Sequence, residues 1–85
     1  AVPCEVFVEA GLALKANSPF RPMLVICLAN GYNGYLPTPE QHRLGGYETW
    51  RARSSYLETS ASPKIITTLL DQLTRLHDTR PPRGL

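Results

Sequence analysis

The sequence has no long hydrophobic run, no dense block of one charge and almost no cysteine. Its longest apolar stretch is Met23 to Ala29, far short of the roughly 18–20 residues that span a bilayer. No transmembrane segment is therefore expected. Lysine and arginine number 9 against 7 aspartate and glutamate, a net charge of +2. Without a basic face carrying interleaved aromatics, nucleic acid is not an expected partner. The cysteines are Cys4 and Cys27, too few for a disulfide scaffold and not a CxxC pair. They read as small buried hydrophobes, with a disulfide between them the open alternative. Ser54-Ser55 lacks a G-x-S-x-G context, so no serine nucleophile is indicated. The start, Ala1-Val2-Pro3, reads as the end of a strand and carries no signal-peptide pattern.

What is present fits one small unit. At 85 residues the chain allows one domain, burying roughly 60% of the surface its unfolded form exposes. From Glu5 to Ala16 only Gly11 interrupts a helical pattern, with Phe7, Ala10, Gly11 and Leu14 on one stripe. Glu5 is placed in the first turn and Lys15 in the last, as the helix dipole favours. Asn17-Ser18-Pro19 ends it. Met23 to Ala29 reads as a strand buried on both faces, as in a parallel sheet. Tyr47 to Tyr56 reads as a weaker strand with Trp50 half-buried. Ser62-Pro63 predicts a helix start, Ser62 as cap and Pro63 in the first turn. Ile65, Leu69, Leu73 and Leu76 form its stripe, Asp71 and Arg75 an i, i+4 pair, and its end falls near His77. The order is strand end, helix, strand, long loop, strand, helix. It predicts an α/β unit over residues 1–78, followed by a loose Pro/Arg tail over 79–85. Two strands and two helices make a poor independent domain, so the unit reads as one edge of a larger α/β layer.

The chemistry concentrates between Asn30 and Glu48. This loop leaves the C-terminal end of the expected strand, where ligand sites gather in open α/β sheets. It carries two Asn-Gly pairs, Gly45-Gly46, and the tyrosines Tyr32, Tyr35 and Tyr47. A phenol both donates and accepts a hydrogen bond, and as phenolate it ligates metals. Packing of the three rings onto the core is the bland alternative. His42, in the same loop, is a possible ligand without clustered partners. His77 reads as a structural residue at a helix C-terminus.

The residues Pro3-Cys4-Glu5, Asn30-Gly-Tyr-Asn-Gly-Tyr35-Leu-Pro-Thr and Gly46-Tyr47-Glu48 resemble the neutral/alkaline, non-lysosomal ceramidases and their bacterial relatives. The likeness covers most of this chain but only the last portion of that family's catalytic domain. It implies a zinc-dependent amidohydrolase cleaving an N-acyl amide, in a secreted or periplasmic setting. In that family two histidines, a glutamate and a tyrosine hold the zinc. Glu5 matches the glutamate and Tyr35 the tyrosine, while Tyr47, twelve residues on, matches a catalytic tyrosine. The two histidines have no match here, so the chain alone is expected to be inactive. Cys4 stands where the family has Gly, and Pro37-Thr38-Pro39 where its lipid-cleaving members have Thr-Thr. These departures point to a ceramide-like N-acyl substrate rather than to ceramide itself. A small non-enzymatic α/β interaction module is the alternative reading.

Overall fold

A computed structural model describes residues 1–79. Strand β1 (Glu5–Val6) leads into helix α1 (Val8–Asn17), followed by strand β2 (Tyr35–Leu36) and helix α2 (Pro39–Leu44). A 3-10 turn at Tyr47–Thr49 and the long helix α3 (Ala61–Thr79) complete the chain. β1 and β2 pair in parallel, Glu5 opposite Tyr35 and Val6 opposite Leu36. The result is a mixed α/β unit with a two-stranded sheet, and α1 packs against α3. Among the described residues no helix is long and apolar enough to cross a membrane.

The core lies where β1, β2 and α3 meet. Val2, Cys4, Leu36 and Ala61 are buried, with Val6, Val25, Leu57, Ile65 and Leu69 packed around them. α3 contributes its apolar stripe, with Ile65, Ile66, Leu69, Leu70 and Leu73 half-buried. The expected Asp71–Arg75 pair forms at 2.9 Å on the wet side, while Leu76 is exposed. The helix begins at Ala61, so Ser62 is not its cap. Ser62 sits inside the first turn, fully buried. Pro63 is tolerated there because the first N–H groups of a helix have no intrahelical acceptor. The helix runs on to Thr79, whose hydroxyl donates to the Arg75 carbonyl at 2.9 Å. From residue 80 onward the expected tail lies outside the described residues.

Three expected elements come out differently. α1 starts at Val8, because the backbone before it is committed to the sheet: Glu5 N–H donates to the Gly34 carbonyl at 2.9 Å. Glu5 is thus a strand residue, not part of a helical turn. Ala10 and Leu14 are buried as the stripe requires, and the Ser18 amide caps the end on Leu14 at 2.9 Å.

Met23–Ala29 is not a strand buried on both faces. One bridge, Val2 with Cys27, ties it to the N-terminal segment. Leu24 is 81% exposed, and Ile26 and Leu28 are exposed too. Leu28 at φ +54° and Asn30 at φ +63° turn the backbone into the left-handed region, which ends the extended run. Cys27 is exposed and Cys4 buried, both as free thiols. Burial, then the neighbouring Cys27, pushes the Cys4 thiol above its ordinary value.

Tyr47–Tyr56 is the third departure: it forms the 3-10 turn and then a tight reversal closed by an Ala52–Ser55 bridge. Gly46 at φ +120° and the Thr49 hydroxyl, donating to the Gly46 carbonyl at 2.7 Å, favour the turn over a strand.

Candidate functional site

β1 and β2 are short because their task is local. Gly34 donates no side chain, and that absence is required. A Cβ there would lie 2.8 Å from the Ser54 carbonyl oxygen, and its φ of +82° disfavours any other residue. The close approach lets Tyr35 N–H donate to the Ser54 carbonyl at 2.9 Å, while Gly34 C=O accepts from Glu5. β2 is therefore pinned on both sides, to β1 and to the 51–55 reversal. Asn33 adds a second tie: its backbone and side-chain amides both donate to the Pro3 carbonyl, at 2.8 and 3.2 Å. Tyr56 O–H donates to Asn33 Oδ1 at 3.1 Å.

This framework brings the three residues singled out from the sequence together. In-register pairing sets Glu5 beside Tyr35. The Tyr35 and Tyr47 rings meet edge to face, with centroids 5.9 Å apart and planes at 86°, within the favoured range for aromatic pairs. Hydrogen bonding with Tyr47 raises the Tyr35 phenol well above its ordinary value of 10.0, and burial and the Glu5 carboxylate push the same way. Each influence favours the neutral phenol, because a phenolate beside a carboxylate is a like-charge pair. Tyr47 is itself 62% exposed and so reachable from solvent.

The loop after β2 is held by a helix that the sequence reading missed. Thr38 and Gln41 form a reciprocal capping box: Gln41 N–H donates to Thr38 Oγ1 at 3.3 Å, and Thr38 N–H donates to Gln41 Oε1 at 3.2 Å. Pro39 takes the first helical position, where it needs no N–H acceptor. The signal is legible as Thr-Pro-x-Gln, with Pro39 at the first helical position rather than breaking a helix. α2 and Gly45 then return the chain to Tyr47.

The other candidates are placed as follows. Tyr32 is exposed. His42 lies on α2 with its Nε2 buried and without a hydrogen-bond partner. His77 packs edge to face on Phe20 at 5.4 Å and contacts Asp78 at 3.3 Å, as a structural residue would. Among the described residues no group of three or more His, Cys, Asp or Glu could hold a metal ion.

The oxygen donors of Glu5 and Tyr35 suit a zinc ion in kind, and they are adjacent. They are two donors where a catalytic zinc site uses at least three protein ligands. A cation would also reverse the local electrostatics, turning the Glu5–Tyr35 pairing from repulsive to favourable for a phenolate. The cluster therefore fits half of such a site.

Comparison with protein-family models, with curated proteins and with solved structures finds no match to this chain.

Proposed function

We propose that this chain supplies part of a zinc-dependent amidohydrolase centre acting on an N-acyl, ceramide-like amide, with its sheet forming one edge of a larger α/β layer. The observation that carries the reading is the convergence of Glu5, Tyr35 and Tyr47, residues separated in sequence by helices α1 and α2. It adds to the resemblance of the segments that hold them. Glu5 and Tyr35 would hold the metal together with two histidines from outside this chain. When bound, zinc acidifies a water molecule and polarises the amide carbonyl.

The chain's own residues have defined tasks. The Glu5 carboxylate contributes negative charge at the edge of β1. Tyr35, edge to face with Tyr47, orients the Tyr47 ring. Tyr47 presents its phenol to solvent, where it donates a hydrogen bond to the oxyanion developing on the substrate carbonyl. The 85-residue chain alone is expected to hydrolyse no N-acylsphingosine, and turnover by it would contradict this division of labour.

Zinc titration of the chain, followed through side-chain NMR shifts, tests the reading. The expected result is weak saturable binding that perturbs Glu5, Tyr35 and Tyr47 and is lost in Glu5→Gln and Tyr35→Phe. Shifts centred on Cys27, His42 or His77, or none at millimolar zinc, would count against it.

One observation favours a second reading, a non-enzymatic α/β interaction module. Leu24, Ile26 and Leu28 expose apolar side chains along one short segment, and exposed apolar surface of this kind associates. That reading requires no metal and tolerates Tyr35→Phe without loss of association.

A further inference from the structure

The turn that follows Tyr47 presents a surface that the zinc reading leaves unused. Trp50 is 68% exposed, where a half-buried strand residue was expected. Its amide closes the 3-10 turn on the Tyr47 carbonyl at 3.2 Å, and residues three apart in such a turn lie on the same side. Trp50 therefore stands beside Tyr47 at the rim of the cluster.

Arg51 and Arg53 follow, both exposed. The ion pairs among the described residues join Arg43 to Glu40, Lys64 to Glu58, Arg75 to Asp71 and His77 to Asp78, so neither Arg51 nor Arg53 is neutralised. The nearby Glu48 does not reach them: a Cβ on Gly46 would lie 2.9 Å from its Oε2, which places the carboxylate back over Gly46. The presentation is fixed. Ala52 and Ser55 exchange backbone hydrogen bonds at 3.1 Å each, the Ser55 hydroxyl donates to the Glu48 carbonyl, and Ser54 anchors the reversal to Tyr35.

We propose that Trp50, Arg51 and Arg53 form a docking surface for an anionic lipid bilayer. An indole settles at the headgroup level, apolar body inward and N–H toward water. Guanidinium groups pair with phosphate oxygens in a fork geometry, and each basic group near an anionic surface adds to binding. Two arginines are too few to track a nucleic-acid backbone, which needs many phosphate contacts. Exposure and charge suffice for this docking, independently of any metal. Where the proposed amidohydrolase reading also holds, it places Tyr47 at the surface from which an N-acyl lipid would enter.

Trp50 is the only tryptophan in the chain, so its emission reports the contact. The full chain is mixed with vesicles of phosphatidylcholine containing phosphatidylglycerol, with vesicles of phosphatidylcholine alone, and with soluble glycerophosphate. The expected result is a blue shift with the anionic vesicles only, weakening as salt rises. Vesicle co-sedimentation should fall about fivefold for each arginine removed, and more in the Arg51→Glu, Arg53→Glu pair. Trp50→Ala should also lose binding, while Arg75→Glu, on the far helix, should retain it. Circular dichroism checks that each variant is folded.

No shift on anionic vesicles, or an equal shift on neutral ones, would overturn the proposal. So would a shift reproduced by glycerophosphate, which would mark a phosphate pocket, or stronger binding to an oligonucleotide. No outcome depends on hydrolysis, so failure here leaves the zinc titration of Glu5 and Tyr35 standing as a separate test.

Discussion

Two segments face the N-terminal strand, and they behave in opposite ways. Met23–Ala29 is the most apolar stretch of the chain and bonds the backbone of Val2 and Cys4 through Ile26, Leu28 and Ala29, yet it exposes Leu24, Ile26 and Leu28. Asn33–Leu36 is polar and glycine-bearing, yet it forms the register with β1 and buries Leu36 to 1% exposure. The difference lies in what the backbone can do. Gly34 permits an approach that no other residue permits, and Asn33 donates twice to Pro3. Leu28 and Asn30 instead leave the extended region. Hydrophobicity supplies a driving force for burial, but it does not choose a partner. Both segments bond the N-terminal backbone, but the missing Cβ at Gly34 lets Asn33–Leu36 also approach Ser54 and bury Leu36.

Mutations sharpen this contrast. The largest expected effect is Leu36→Ala, about 3 kcal/mol of lost stability for an aliphatic side chain deleted from a packed core. Ile26→Ala should cost under about 0.5 kcal/mol, as for an exposed position. Urea unfolding of both variants measures the gap, and equal losses would mean that Met23–Ala29 is buried after all. Next, Gly34→Ala should cost about 2 kcal/mol, since it combines a strained φ with a clash against Ser54. Gly11→Ala should do the reverse and stabilise by up to about 1 kcal/mol, because it lies within α1 and a Cβ there meets nothing within 4 Å. A thermal melt with the two shifts in the same direction would break the argument.

The electrostatics of the cluster give a subtler test. The Tyr35 phenol is raised in the folded state, by the Tyr47 hydrogen bond first and then by burial and Glu5. The unfolded chain therefore loses this proton first. Stability from this group is complete below the ordinary value of 10.0 and is lost as pH rises above it. Tyr35→Phe should flatten that alkaline limb in melts recorded between pH 8 and 11. An unchanged limb would mean that Tyr35 does not sense Tyr47 and Glu5.

The smallest effect belongs to Glu58, held below its ordinary value first by Lys64 and then by Ser60. Its contribution is present above the ordinary carboxylate range and fades as pH falls. Lys64→Met should flatten the acid limb slightly and change the melt at neutral pH very little, as befits an exposed ion pair.

Much of this molecule was legible in the sequence where local rules suffice. The α3 stripe, the Asp71–Arg75 pair and the end of α1 at Ser18-Pro19 follow from helical period and capping alone. Glu5, Tyr35 and Tyr47 stand out only through the resemblance of the segments that carry them, and the structure sets Glu5 opposite Tyr35 and the Tyr35 ring edge to face with Tyr47. The failures occur where tertiary context overrides a local signal. The apolar run at Met23 resembles a buried strand, but its neighbours among residues 1–79 cover only Met23, Val25 and Ala29 in part and leave Leu24, Ile26 and Leu28 exposed. Glu5 looked helical because nothing in the sequence shows that Gly34 will take its N–H. Pro37 and Pro39 hid a helix whose cap was spelled out by Thr38 and Gln41. Trp50 looked like a strand residue because alternation cannot reveal a 3-10 turn set by Gly46.

The central claim is that Glu5, Tyr35 and Tyr47 form one cluster, and ring-proton NOEs in the folded chain test it most directly. The account predicts cross-peaks between the Tyr35 and Tyr47 rings, whose centroids lie 5.9 Å apart, and between backbone amide and Cα protons across the parallel pairing of Glu5–Val6 with Tyr35–Leu36. Absence of the Tyr35–Tyr47 cross-peaks in a well-dispersed spectrum would contradict the cluster, and with it the proposed amidohydrolase site.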